Sequence, residues 1–238
     1  GKEFASHGYP TLLTTTTHIM KPDFLSDESY IENEDLGQLA NIFTNLKKNT
    51  LPLAALGIPE KVVNSNVKWR SPSSDFCEKI AEFSKKFSTK NPYKFLKILC
   101  EGDGSKRLPI KLPKDGEPVF FPKTDTVISV IGLSCLGKPI KETLFRYELL
   151  PNLTSLDNYF IKSLQSADIV TTDFLYRLCL SEKGLRKNIT SQKFCIIFNQ
   201  ADILDEKALA EVITLRNQLQ TKGICSHIIS VKNNYIIN

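Results

Sequence analysis

Three times along this chain an apolar, strand-like run passes without a gap into a cluster of polar residues. Tyr9 to Thr14 enters Thr14-Thr15-Thr16-Thr17-His18, Phe95 to Cys100 enters Glu101-Gly102-Asp103-Gly104-Ser105-Lys106-Arg107, and Phe194 to Phe198 enters Asn199-Gln200-Ala201-Asp202. Runs of β-branched and aromatic residues bounded by turn chemistry read as strands. Amphipathic helices lie between them. Asp75 to Phe87 sets Phe76, Ile80, Ala81, Phe83 and Phe87 at helical spacing behind a Ser73 or Ser74 cap, and Lys207 to Lys222 is stopped by Gly223. Alternation of strand and helix predicts a parallel sheet covered on both faces. In such sheets ligands bind beyond the carboxyl ends of the strands, which is where all three polar clusters fall.

The remaining elements fit the same plan. Glu3 to His7 reads as the tail of a helix stopped at Gly8, Thr126 to Leu133 as a central strand, and Ser226 to Val231 as a last strand. The 238 residues are read as one α/β domain, 1–238, with a partly irregular insertion over about 19–92. That insertion carries the acidic turn residues Asp23, Asp27, Glu28 and Glu32, a helix over Leu36 to Leu46 and a short strand around Leu51 to Leu56. Trp69 and Phe76 are expected in its core.

Composition narrows the function classes. A hydrophobic content of 41% and a charged content of 24% exclude a disordered or fibrous chain. The net charge of +5 is dispersed in pairs such as Lys47-Lys48 and Lys85-Lys86, a pattern that argues against nucleic acid and suits small phosphate-bearing ligands. The longest apolar runs fall short of the roughly 20 residues that span a bilayer, and no signal peptide is visible, so no membrane partner is expected. Six widely separated cysteines, without CxxC or Cys/His metal spacing, read as reduced structural thiols of a cytoplasmic protein.

Each polar cluster has a chemical reading and a plainer one. The hydroxyls of Thr14, Thr15, Thr16 and Thr17, with His18, suit phosphate oxygens or the shell of a magnesium ion; threonines also simply finish a strand. Glu101 and Asp103 directly after a buried strand have the Walker B arrangement, in which a carboxylate holds Mg²⁺ beside a triphosphate; an Asp-Gly turn is the alternative. Lys106 and Arg107 complement phosphate charge. Asn199 and Asp202 fit the Asn-Lys-x-Asp motif that reads guanine, with Gln200 in place of Lys; an Asx turn is the alternative. Gly132 through Gly137-Lys138-Pro139 follows another strand, with Lys138 facing phosphate or solvent.

On these segments, together with Ile169-Val170-Thr171 and Glu182-Lys183-Gly184-Leu185, the chain resembles the YqeC-type family of selenium-dependent molybdenum hydroxylase accessory proteins. The resemblance implies a three-layer, mostly parallel sheet of the P-loop NTPase type. It also implies a Gly-rich phosphate loop just before the helix at Glu3 to His7. Gly1-Lys2-Glu3 does not provide that loop, so the N-terminal strand and P-loop are expected to be lacking in this chain. The implied cofactors are Mg²⁺ and a nucleoside triphosphate, GTP or ATP. The implied partner is a molybdenum hydroxylase or one of its maturation factors. NTPase activity is left open, and the alternative is a non-catalytic scaffold that docks a hydroxylase or a molybdopterin-carrying partner.

Overall fold

In the computed structural model the described residues are 1–44, 51–90, 95–153 and 168–237. The Lys47-Lys48 pair and the last two positions of the helix expected to reach Leu46 lie outside them. The chain forms two compact units, Gly1–Gly104 with Val119–Lys123, and Ser105–Pro118 with Thr124–Asn238. Both are α/β, with parallel and antiparallel strand pairs.

The first unit opens with α1, Lys2–Ser6, which Gly8 terminates at φ +80°, a backbone state that costs glycine no β-carbon clash. β1 (Thr11–Thr15), β2 (His18–Met20), β3 (Tyr30–Ile31), α2 (Leu36–Thr44) and β4 (Leu53–Leu56) follow, then β5 (Ile58–Val63), β6 (Asn66–Arg70), α3 (Ser74–Lys90) and β7 (Lys97–Glu101). One sheet has the order β3-β4-β1-β7 with every pair parallel. Ala54 and Ala55 are both fully buried although successive strand residues point to opposite faces, so β4 is covered on both sides. Ala54 joins the core of Leu12, Ile31, Leu39, Phe76 and Ile80, whereas Ala55 joins Tyr30 and Trp69. Each fully buried large apolar side chain in these cores contributes roughly 1.5–3 kcal/mol. The expected cap of α3 is Ser73, whose hydroxyl accepts from the Phe76 amide at 3.2 Å.

The insertion read from sequence as partly irregular over about 19–92 also takes part in an antiparallel sheet of order β2-β6-β5. β5 escaped notice because nearly all of it is solvent-facing, so no apolar alternation marks it. It joins β6 through a tight two-residue hairpin in which Asn64 and Ser65 both have positive φ. Trp69 of β6 is fully buried, edge-on to Tyr30 at 5.9 Å, and its indole N–H donates to Glu32 at 2.9 Å.

The second unit contains β8 (Ile110–Lys111), β9 (Thr126–Gly132), α4 (Ile140–Thr143), β10 (Leu144–Phe145), α5 (Thr172–Leu180), β11 (Lys193–Asn199), α6 (Glu206–Thr221), β12 (Cys225–Ser230) and β13 (Tyr235–Ile237). Its main sheet has the order β13-β12-β11-β9, parallel except for β12 with β13. One face, Ile131, Ile196, Phe198 and Ile228, is buried in the same core as Phe174, Leu175 and Leu178 of α5 and Val212, Leu215 and Leu219 of α6. The expectation that β9 is central is corrected: among the described strands it ends the sheet, and Ile128 and Val130 are 55% and 58% exposed. A continuous β-branched run signals a strand but does not fix its place in the sheet. Among the described residues no helix is long and apolar enough to cross a membrane.

A three-membered ion cluster ties the loop before β9 to the other elements of this unit. Glu117 accepts a forked pair of hydrogen bonds from Arg146 and a 2.8 Å ion pair from Lys111 of β8. The Arg146 guanidinium, then the Lys111 ammonium, overcome partial burial and hold the Glu117 carboxyl at about 2, far below its ordinary 4.5. A depressed carboxylate stabilises the fold above its unfolded pKa and loses that contribution as pH falls through the folded value. Glu117→Gln is therefore expected to cost about 2–3 kcal/mol at pH 7. In urea unfolding at stepwise lower pH, the gap between variant and parent should close between pH 4.5 and about 2. A gap that stays constant over that range would contradict the cluster's role.

Candidate functional site

The first group of polar residues sits at the carboxyl edge of the parallel sheet in the first unit. Thr11 to Thr15 of β1 run in register with Lys97 to Glu101 of β7, so that Thr15 stands beside Glu101. The chain then turns within both segments, and Gly102 allows the Val119 carbonyl to approach to where a β-carbon would lie 3.1 Å away. Thr14, Thr15, Thr16, Thr17, Glu101 and Asp103 thus share one strand end. His18 lies on β2 instead, where its Nε2 meets Glu60 at 3.2 Å.

The hydroxyls differ in what they have left to offer. Thr15 donates to the Glu101 carbonyl at 3.1 Å and accepts from the Thr17 amide at 2.9 Å. Thr16 donates to the Val119 carbonyl at 2.5 Å. A hydroxyl whose proton is committed to a carbonyl keeps lone pairs, which suit a cation or its waters rather than a phosphate oxygen. Thr14 is the exception: its hydroxyl is buried and has no hydrogen-bond partner among the described residues. An unsatisfied buried hydroxyl costs about 1–3 kcal/mol, so this position needs an explanation that packing does not supply.

The second group belongs to the second unit. A pocket of about 250 Å³ opens beyond the ends of β9 and β11, with Arg107, Ser105, Ser134, Asn199 and Gln200 providing its polar lining and Pro109 and Val130 its apolar lining. That volume lies below the range of ordinary small-molecule sites and is too small to enclose a whole nucleotide. Gly132 is required there, since a β-carbon would come within 2.8 Å of Gln200 and 2.9 Å of Pro109. Gln200 takes up the left-handed conformation at φ 71° and accepts from the Ser134 amide at 3.3 Å.

Asn199 and Asp202 both brace the turn after β12. Asn199 Oδ1 accepts from the amides of Gln200 at 2.8 Å and Val231 at 3.1 Å, and Asp202 Oδ1 accepts from the Ser230 hydroxyl at 2.6 Å. Lys106 lies over the Phe145 ring at 5.0 Å, and Lys138 is exposed just after Gly137. Sequence reading passed over Ser134 and Ser105, whose only signal was position, just past a strand or inside a turn that closes on one.

All six cysteines are free thiols. Burial pushes Cys100 up to about 11 and Cys135 up to about 12, and also raises Cys77 and Cys179, so these four behave as inert core groups. Cys195 and Cys225 depart from the structural reading. They lie together beside His227 on the open face of the sheet.

Two substitutions separate the threonine roles in unligated protein. Thr14→Val replaces an unpaired hydroxyl with a methyl and should leave the urea midpoint unchanged or raise it. Thr15→Val strips partners from the Glu101 carbonyl and the Thr17 amide and should cost about 1–2 kcal/mol. Equal losses in the two variants would contradict this division.

No curated protein and no solved structure matches the chain. A family model does, that of the YqeC protein, over residues 1–148, which include the threonine run, the Glu101–Arg107 segment and Gly132–Lys138. With more than half of its length under that match, the chain belongs to the YqeC family.

Proposed function

We propose that this chain is a magnesium-dependent nucleoside triphosphate-binding accessory protein of the P-loop type, acting in the maturation of a selenium-dependent molybdenum hydroxylase. The maturation role follows from what YqeC resemblance implies. The nucleotide reading rests on one observation: the parallel register of β1 with β7, which sets Thr15 beside Glu101 and collects the threonines and both carboxylates at one strand end. In this reading Glu101 and Asp103 hold Mg²⁺, directly or through its waters. Thr16 turns a lone pair to the same shell, and the buried Thr14 hydroxyl finds its missing partner there. Bound magnesium would screen phosphate charge. The second unit is read separately: the guanidinium fork of Arg107 at its pocket suits a phosphate, and Asn199 and Asp202 keep the residue types of a base-reading motif.

One observation favours the scaffold alternative. Asn199, Asp202 and Thr15 already have partners inside the protein, so they hold the turns in place whether or not a nucleotide binds. Calorimetric titration of the chain with Mg²⁺-GTP and Mg²⁺-ATP separates the readings. The proposal expects saturable binding of at least one, weakened more than roughly tenfold by Asp103→Asn and dependent on Mg²⁺. Absence of binding by both, or equal affinity in Asp103→Asn, would leave the scaffold reading.

A further inference from the structure

Strand alternation along β12 sends the buried residues Ser226 and Ile228 to the helix-covered face and Cys225 and His227 to the opposite face. Parallel pairing then places Cys195 of β11 directly across from Cys225. The Cys225 thiol donates to the Cys195 sulfur at 3.1 Å, and His227 Nε2 lies 3.5 Å from Cys225 Sγ. All three ligand atoms lie within 4.8 Å of one another. Cys225 and His227 are exposed and Cys195 is half-buried, so the cluster is open to solute on one side.

Two thiols and an imidazole are a donor set for a soft or borderline cation. A tetrahedral zinc ion, with Zn–S near 2.3 Å and Zn–N near 2.05 Å, spaces two sulfurs by about 3.8 Å and a sulfur from a nitrogen by about 3.6 Å. The spacing of Cys225 Sγ from His227 Nε2 already fits, and Cys195 Sγ lies within 4.8 Å of the imidazole. The sulfurs must open by about 0.7 Å, which a rotation of the exposed Cys225 side chain supplies. A disulfide would need them to close to about 2.05 Å, and it would give the neighbouring imidazole nothing to do.

We propose that Cys195, Cys225 and His227 bind one thiophilic d¹⁰ cation of the Zn²⁺ class, with a fourth coordination position open to an exogenous ligand. On binding, both thiol protons pass to solvent, and the cation is held by two thiolates and a neutral imidazole. Three protein ligands and an open position characterise reactive zinc sites rather than closed structural ones. All three residues lie beyond the span 1–148 that matches the family, so the family match does not assign this site. It is also chemically distinct from the oxygen-rich strand end of the first unit, which suits Mg²⁺.

The test uses the full chain, reduced and stripped with a chelator. It is titrated with Zn²⁺ against a chromophoric chelator, and with Co²⁺ followed by absorption. The site predicts one equivalent of either ion and a thiolate-to-cobalt charge-transfer band. Cys225→Ser and His227→Ala should each weaken Zn²⁺ binding more than roughly tenfold. His7→Ala, at an exposed histidine of the first unit, should leave it unchanged. A Co²⁺ complex without the thiolate band, or Zn²⁺ binding undiminished in Cys225→Ser, would overturn the proposal. The cobalt spectrum reads the ligands of the unsubstituted protein, so the outcome does not hinge on how well a variant folds.

Discussion

Parallel strand pairing gathers the polar residues of both units. A parallel pair sends the two chains out of the sheet at the same edge, so whatever follows each strand in sequence is gathered there. In the first unit β1 and β7 are joined over five register pairs, ending with Thr15 beside Glu101. In the second, β9 and β11 are joined from Thr126 and Lys193 to Gly132 and Asn199, and the pocket opens just past that last pair. The polar segments have little regular structure of their own; they are ordered because the strands before them are. The cores of Leu12, Ile31 and Ile80, and of Ile131, Ile196 and Ile228, therefore support the site residues as much as any direct hydrogen bond does.

Five of the parallel strands were legible in the sequence because their apolar runs end abruptly in polar residues. β1, β7, β9, β11 and β12 all appear close to their expected positions, as do α3 and α6, whose apolar periodicity and terminal signals agree. What escaped the reading was either solvent-facing, like β5, or buried but not singled out, like β3, β8, β10 and α5. β5 offers almost no buried side chain, and β9 was assigned to the middle of a sheet from composition that only certified a strand. At the site, residue types and their strand-end positions were readable, but the state of each hydroxyl was not. Thr14, Thr15 and Thr16 are identical letters, yet the Thr14 hydroxyl has no partner among the described residues, Thr15 joins the Glu101 carbonyl to the Thr17 amide, and Thr16 joins the Val119 carbonyl to the Cys100 thiol.

The cysteine pair shows the same limit from another side. Cys195 and Cys225 are 30 positions apart, and no ligand spacing joins them until β11 and β12 pair. The Cys225-x-His227 step was overlooked in the sequence, although on a strand two-residue spacing means a shared face. The register that brings Cys195 beside them is a tertiary fact. Two donor sets are consequently gathered in one chain: oxygen donors at the threonine and carboxylate strand end, and sulfur and nitrogen donors on an open sheet face.

Whether a nucleotide acts at these strand ends is read most directly by hydrogen–deuterium exchange of the chain with and without Mg²⁺-GTP or Mg²⁺-ATP, because exchange reports where a ligand acts as well as whether it binds. Slowed exchange is predicted at the amides of Thr16 to His18 and Gly102 to Gly104, dependent on Mg²⁺. Exchange unchanged at all of these positions, or protection confined to other elements, would contradict the nucleotide reading.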